Sequence, residues 1–233
     1  MGAMPMPGGG TTTSAWMPMC GQGWIAAGAS FLGMWTVMMA AMMLPSLVPM
    51  LWQYRRAVGG VRGSRSTLLM LLVAGGYFLV WTLLGAAVYP LGAAATAAAA
   101  SYPVLAHAAP AATGLVVLIA GLLQLTRWKA RLLARCRTHC RREPAHCGRA
   151  LRADLSGALR HGLRLGFHCS QCCAGLTAVL LVTGVMDAPA MIAVTAAVTL
   201  ERLAPAGERI ARIVGAVVIG AGSLLTARAA GLS

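Results

Sequence analysis

Acidic side chains are scarce in this chain: five Asp and Glu among 233 residues, set against 19 Lys and Arg. Charge of either sign is scarce too, at 10% of residues, where soluble globular domains carry about 25%. A soluble domain of ordinary composition is thereby excluded. Also missing are a glycine-rich phosphate loop, a nucleophile–base triad and a paired-carboxylate site, so neither a hydrolase nor an ATP-driven pump is expected. Nothing in the sequence assigns a catalytic residue. The first residues lack a basic segment followed by an apolar core, so no cleavable signal peptide is expected there.

What remains is apolar: 58% of residues are hydrophobic and the mean hydropathy is +0.73. The apolar stretches are too long and continuous for barrel strands, and a helix satisfies its own backbone in lipid. The expected fold is all-α, a polytopic membrane bundle of about six transmembrane helices. The spans fall at 24–50, 67–89, 111–126, 165–186, 190–203 and 210–227. Pro45 and Pro49 are expected to kink or end the first span near its inner side. Pro90–Ala109 reads as an outward connection in which the Ala-rich run forms a short surface helix, and its His107 as a solvated side chain. Trp128 and Lys129 read as aromatic and basic anchors at the inner interface. Glu201, close to a span end, is expected to pair with Arg202 or Arg209.

The net charge of +14 would point to nucleic acid in a soluble protein. Here Arg55, Arg56, Arg62 and Arg65 fall in one loop, and eleven more basic residues lie between Arg127 and Arg164. Positive-inside asymmetry places both loops in the cytoplasm and both termini outside, in a bacterial inner membrane. The lipid bilayer is the expected partner, and nucleic acid is not. Residues 1–23 form a Met/Pro/Gly-rich outer tail, 24–228 the membrane domain with its basic loop at 127–164, and 229–233 a short tail.

Chemistry is concentrated in sulfur. His168, Cys169, Cys172 and Cys173 have helical spacings of three and four, which bring them onto neighbouring faces of about one turn. They form a set of soft metal ligands, or a dithiol pair for redox exchange. Cys136, His139 and Cys140 repeat the spacing in the basic loop, with His146 and Cys147 close behind. The surrounding arginines favour thiolates and at the same time oppose cation capture. In the first span Met34, Met38 and Met42 form one stripe, and Met39 and Met43 an adjacent one. These are either flexible packing or a thioether relay. In the tail Met17, Met19 and Cys20, with Met4 and Met6, offer outer capture of Cu(I), or simply lie in an unstructured segment.

The segments MWTVMMAAMMLPSLVP, QLTRWKARLLARCR, GLRLGFHCSQCCAGL and VMDAPAMIAVTAAVTLERLAPAGE occur in that order. The chain over about residues 24–228 resembles a bacterial family described as predicted metal-binding integral membrane proteins, a domain of unknown function. The AMMLP and CxxCC segments carry the resemblance most specifically. It implies metal binding through Cys169, Cys172 and Cys173, with Met38, Met39, Met42 and Met43 in the Met-rich block, and it implies no defined reaction. Where many members have an aromatic after the paired cysteines, this chain has Ala174-Gly175.

Three functions fit. The first is metal transport, storage or delivery, with copper favoured over zinc as the bound ion. The second is a membrane thiol-disulfide oxidoreductase using Cys169 and Cys172 at a helix start, where the dipole lowers a thiol pKa. The third is an assembly subunit that helps a metalloprotein partner acquire its metal.

Overall fold

A computed structural model describes residues 4–5, 11–12, 23–57, 64–142, 155–185 and 187–231. Apart from a two-residue antiparallel ladder, Met4–Pro5 with Thr11–Thr12, the described chain is helical. Its helices are α1 (Trp24–Ala57), α2 (Ser64–Ser101), α3 (Pro103–Leu125), α4 (Arg127–Arg142), α5 (Leu155–Thr183), α6 (Ala188–Leu203) and α7 (Gly207–Ala229). Five of them, α1, α2, α3, α5 and α7, are long and apolar enough to cross a membrane.

Several helices run further than their apolar cores alone indicate. The expected end of the first span at residue 50 is overrun: α1 continues to Ala57 with Pro45 and Pro49 inside it. Proline costs a helix the hydrogen bond to the carbonyl four residues back. Near this break the Ser46 hydroxyl donates to the Met43 carbonyl at 3.0 Å. The outward connection expected at 90–109 is absent as a loop. The Ala-rich run completes α2, and Tyr102 alone separates it from α3. Pro103 occupies the first turn of α3, where its missing N–H has no helical partner to lose. Alanine's high helix propensity explains the extension, since nothing in AAATAAAA breaks the pattern.

The fourth apolar helix begins at Leu155, ten residues before the expected start. Its lipophilic stretch therefore continues an amphipathic basic turn, and the CxxCC segment lies deep inside α5. The structure thus removes the helix-start dipole that was offered as the activator of Cys169. A bend at Thr126 separates α3 from α4, where the Thr126 N–H bonds to the Leu123 carbonyl. Gly184, at φ 128°, ends α5 in a conformation that side chains resist.

α3 packs along α7, α2 along α5 and α1 against α2. Two contacts require a bare backbone. A Cβ on Gly121 would stand 2.7 Å from Ile219 Cγ1 and 2.9 Å from the Ile219 nitrogen, so α3 and α7 approach at van der Waals contact of main chains. Gly162 similarly meets the Val73 carbonyl between α5 and α2. Small residues at such crossings are the usual basis of helix association in lipid. The core on the other side is aromatic and sulfur-rich, with Trp35, Tyr77 and Trp81 fully buried and the Trp35 indole donating to the Trp81 carbonyl at 2.9 Å.

An ion pair ties the start of α4 to α6. The Lys129 ammonium lies 2.9 Å from Glu201 Oε2, with both side chains almost wholly buried. Lys129 also donates to the Cys172 carbonyl at 2.5 Å, and Gln124 Nε2 donates to Glu201 Oε1 at 2.7 Å. Lys129 is therefore no interfacial anchor, although its neighbour Trp128 is exposed. Lys129, which was not expected there, is a cation that the structure sets against Glu201.

Removing one partner of a buried pair leaves an uncompensated charge, at a cost of about 3–5 kcal/mol. Lys129→Met is expected to lower the unfolding midpoint in detergent sharply, and Lys129→Met with Glu201→Met to recover most of the loss. Equal instability of single and double variants would show that the pair does not hold α4. Gly121→Leu should destabilise by roughly 1–3 kcal/mol through overpacking, whereas Gly33→Ala, facing open space, should be close to neutral. A tolerated Gly121→Leu would refute the close approach of α3 and α7.

Candidate metal centre

The methionine stripe of α1 and the cysteines of α5, read separately in the sequence, are parts of one buried cluster. Met38, Met39, Met42 and Met43 pack in the same core as Cys169, Cys172 and Cys173, and Met34 lies partly buried against it. The i, i+4 spacing of α1 turns the Met pairs inwards together, while α5 presents its three thiols from one turn. All three cysteines are free thiols.

Cys169 is the centre of this arrangement and is completely buried. Its sulfur lies 2.9 Å from the Tyr77 hydroxyl on α2 and 4.0 Å from the Met43 thioether on α1. Cys173, one turn further along α5, is buried in the same core, and Arg202 at the end of α6 is buried as well. Arg202 Nη1 donates to Ser46 Oγ at 3.3 Å, and Ser46 in turn donates to the Met43 carbonyl. A thiol, a thioether and a phenol thus meet from three helices, with Cys173 in the same core and Arg202 of α6 tied to Ser46 on α1.

Cys172 faces the neighbouring ionic group, its carbonyl accepting from Lys129. His168 is half-buried, its ring 6.4 Å from that of Phe167. Among the described residues no group of three or more His, Cys, Asp and Glu side chains is placed to hold a metal ion. The convergence is one of sulfurs, with the thioether supplied by another helix. His107 is exposed, and its Nδ1 lies 2.7 Å from the Pro103 carbonyl. Cys136, His139 and Cys140 lie on α4 beyond its last described side chain, Ala134. Met17, Met19, Cys20, His146 and Cys147 lie outside the described residues.

Sequence reading missed the polar half of this centre. It named Lys129 as an interfacial anchor and set Glu201 at a span end with Arg202 or Arg209 as its partner, yet Lys129, Glu201 and Arg202, with Gln124 and Ser46, are all buried. The available signal was Glu201-Arg202 at the end of a helix of only 16 residues, too short to carry both charges to water without help. Tyr77 gave no signal, since an aromatic in an apolar span is ordinary.

No curated protein and no solved structure matches the chain. The PpoB2 family, described as copper chaperone, matches residues 32–225, from the start of the Met-rich block almost to the end of α7, and the chain belongs to that family.

Proposed function

We propose that this chain is a multi-pass membrane protein that holds Cu(I) as its cargo and passes it to a metalloprotein partner. The single observation that carries this reading is the 4.0 Å approach of Cys169 Sγ and Met43 Sδ inside a sulfur-lined core. Three sulfurs each about 2.3 Å from an ion, the usual zinc–thiolate distance, stand about 4.0 Å apart in a trigonal plane. Cys169 and Met43 have that spacing, and in this reading Cys173, buried in the same core, supplies the third sulfur. Soft thiolate and thioether ligands select Cu(I), whereas structural zinc takes four N or S ligands in a closed tetrahedron. The family description supports copper.

In this reading Cys169 and Cys173 bind, Met43 shares the ion, and Met34, Met38, Met39 and Met42 relay it along α1. Met17, Met19 and Cys20 serve as outer capture. Cys172 and His168 take the ion onward, towards Cys136, His139 and Cys140 of the basic loop. Thioethers release Cu(I) more readily than thiolates, so this order draws copper inwards. Six spans, both termini outside and both basic loops in the cytoplasm of a bacterial inner membrane complete the proposal. α6 enters it as the sixth span, about 24 Å long against a hydrocarbon core of about 30 Å. Its inner end lies among Lys129, Gln124 and the other buried polar groups instead of reaching water.

The detergent-purified chain is expected to retain copper in stoichiometric amount by elemental analysis. Cys169→Ser with Cys172→Ser and Cys173→Ser should abolish retention, and Met43→Leu should weaken Cu(I) binding about tenfold, ~1.4 kcal/mol. Full copper in the triple variant would rule out the cluster as the site. Reporter fusions should place residue 1 outside and the 143–154 segment in the cytoplasm, and the reverse pattern would overturn the orientation.

A further inference from the structure

Building on the copper reading, we infer that Tyr77 is a positioning residue for copper. Its hydroxyl donates a hydrogen bond to the Cys169 sulfur while that sulfur holds the ion, and this bond sets how tightly Cu(I) is kept. Tyr77 Oη lies 2.9 Å from Cys169 Sγ. That separation is within the range of hydroxyl–oxygen hydrogen bonds, although sulfur is the larger atom. Both side chains are wholly buried, so bulk water competes for neither group.

The backbone places the phenol there. A Cβ on Gly166 of α5 would stand 2.8 Å from the carbonyl oxygen of Tyr77 itself. One on Gly76 of α2 would stand 2.7 Å from the Leu159 carbonyl oxygen, and Gly162 meets the Val73 carbonyl in the same way. These bare-backbone contacts fix the register of α2 against α5. Cys169 follows Gly166 by three residues, about one helical turn. The Tyr77 ring also stands edge-on to that of Phe78, with centroids 5.2 Å apart. The glycines that let the two helices touch therefore bring the hydroxyl to the sulfur.

When Cys169 takes Cu(I), its S–H bond breaks and a copper–sulfur bond forms. The proton leaves to the buffer, and no oxidation state changes. The sulfur then has no hydrogen to donate, so the phenol is the donor. A hydrogen bond to a charged acceptor is roughly twice as strong as one between neutral groups. The contact therefore strengthens on loading, and the gain favours the copper-bound state over the free thiol. It also engages one lone pair of the sulfur from the α2 side, leaving others for the ion that Met43 shares from α1 at 4.0 Å. Tyr77 orients a ligand and takes no place among the ligands.

The test uses the full chain in detergent, with Cu(I) affinity from chelator competition and release rate from capture by excess chelator. Tyr77→Phe keeps the ring, its packing against Phe78 and the glycine crossing, and removes only the hydroxyl. It should bind Cu(I) about tenfold more weakly, the lower end of what losing an outer-shell partner of a metal ligand costs. Release should quicken by a similar factor, while the unfolding midpoint of the metal-free chain stays close to that of the wild type. Raman spectra supply a readout that packing alone would not move. Copper loading of the wild type should shift the tyrosine ring doublet towards the pattern of a stronger hydrogen-bond donor, and the shift should vanish in Tyr77→Phe. An unchanged doublet in the copper-loaded wild type would overturn the inference and leave the copper reading standing. So would wild-type affinity and release rate in Tyr77→Phe. If Tyr77→Phe does not fold, the doublet of the wild type decides. A wild type that binds no Cu(I) at all would sink both readings.

Discussion

A carboxylate enclosed by apolar helices demands a cation within reach, and Glu201 receives Lys129 at 2.9 Å. Much of the inner half of the molecule follows from that demand. For Lys129 to arrive, α3 must break at Thr126 and the basic helix α4 must start beneath α5 and α6. Once there, the ammonium also takes the Cys172 carbonyl, and Gln124 fills a further lone pair of the carboxylate. Such satisfaction is the condition on which a buried ion pair is tolerated at all. The pair therefore fixes the floor on which the thiols stand.

Above this floor the chemistry is soft. Thioethers and thiols are the least costly ligands to bury, because neither needs a hydrogen-bond partner in the free state. That is why a metal-handling core can also serve as ordinary hydrophobic packing, with Met39, Met43 and Cys169 as well enclosed as Trp35 or Trp81. Among the described polar side chains, Tyr77 meets the Cys169 sulfur by hydrogen bond, and Arg202 is tied through Ser46 to the Met43 carbonyl. A redox role for the CxxC pair finds less support, since the thiols lie midway along α5, far from the partial positive charge of a helix start.

The residues that escaped sequence reading share a physical reason for doing so. Lys129 has the position of a snorkelling anchor, three residues past an apolar span, and only the bend at Thr126 turns it inwards. Arg202 stands beside Glu201 in the chain, yet successive side chains on a helix point about 100° apart, so adjacency in sequence did not reveal that Lys129 would reach the carboxylate. The Ala-rich run after Pro90 carries no periodicity, which leaves loop and helix equally open until packing decides.

By itself the sequence determined that this is a helical bundle, apolar enough for lipid, with two of its sulfur-rich segments set 126 residues apart, at Met43 and Cys169. These properties are local: composition sets the solvent, and spacings of three and four set which side chains share a helix face. Which thiol meets which thioether, which cation answers Glu201, and that Arg202 reaches Ser46 on a distant helix were decided by tertiary structure alone. Those contacts depend on how the helices are brought together around a common core. Helix periodicity repeats every turn and holds no record of which turn of a distant helix lies opposite.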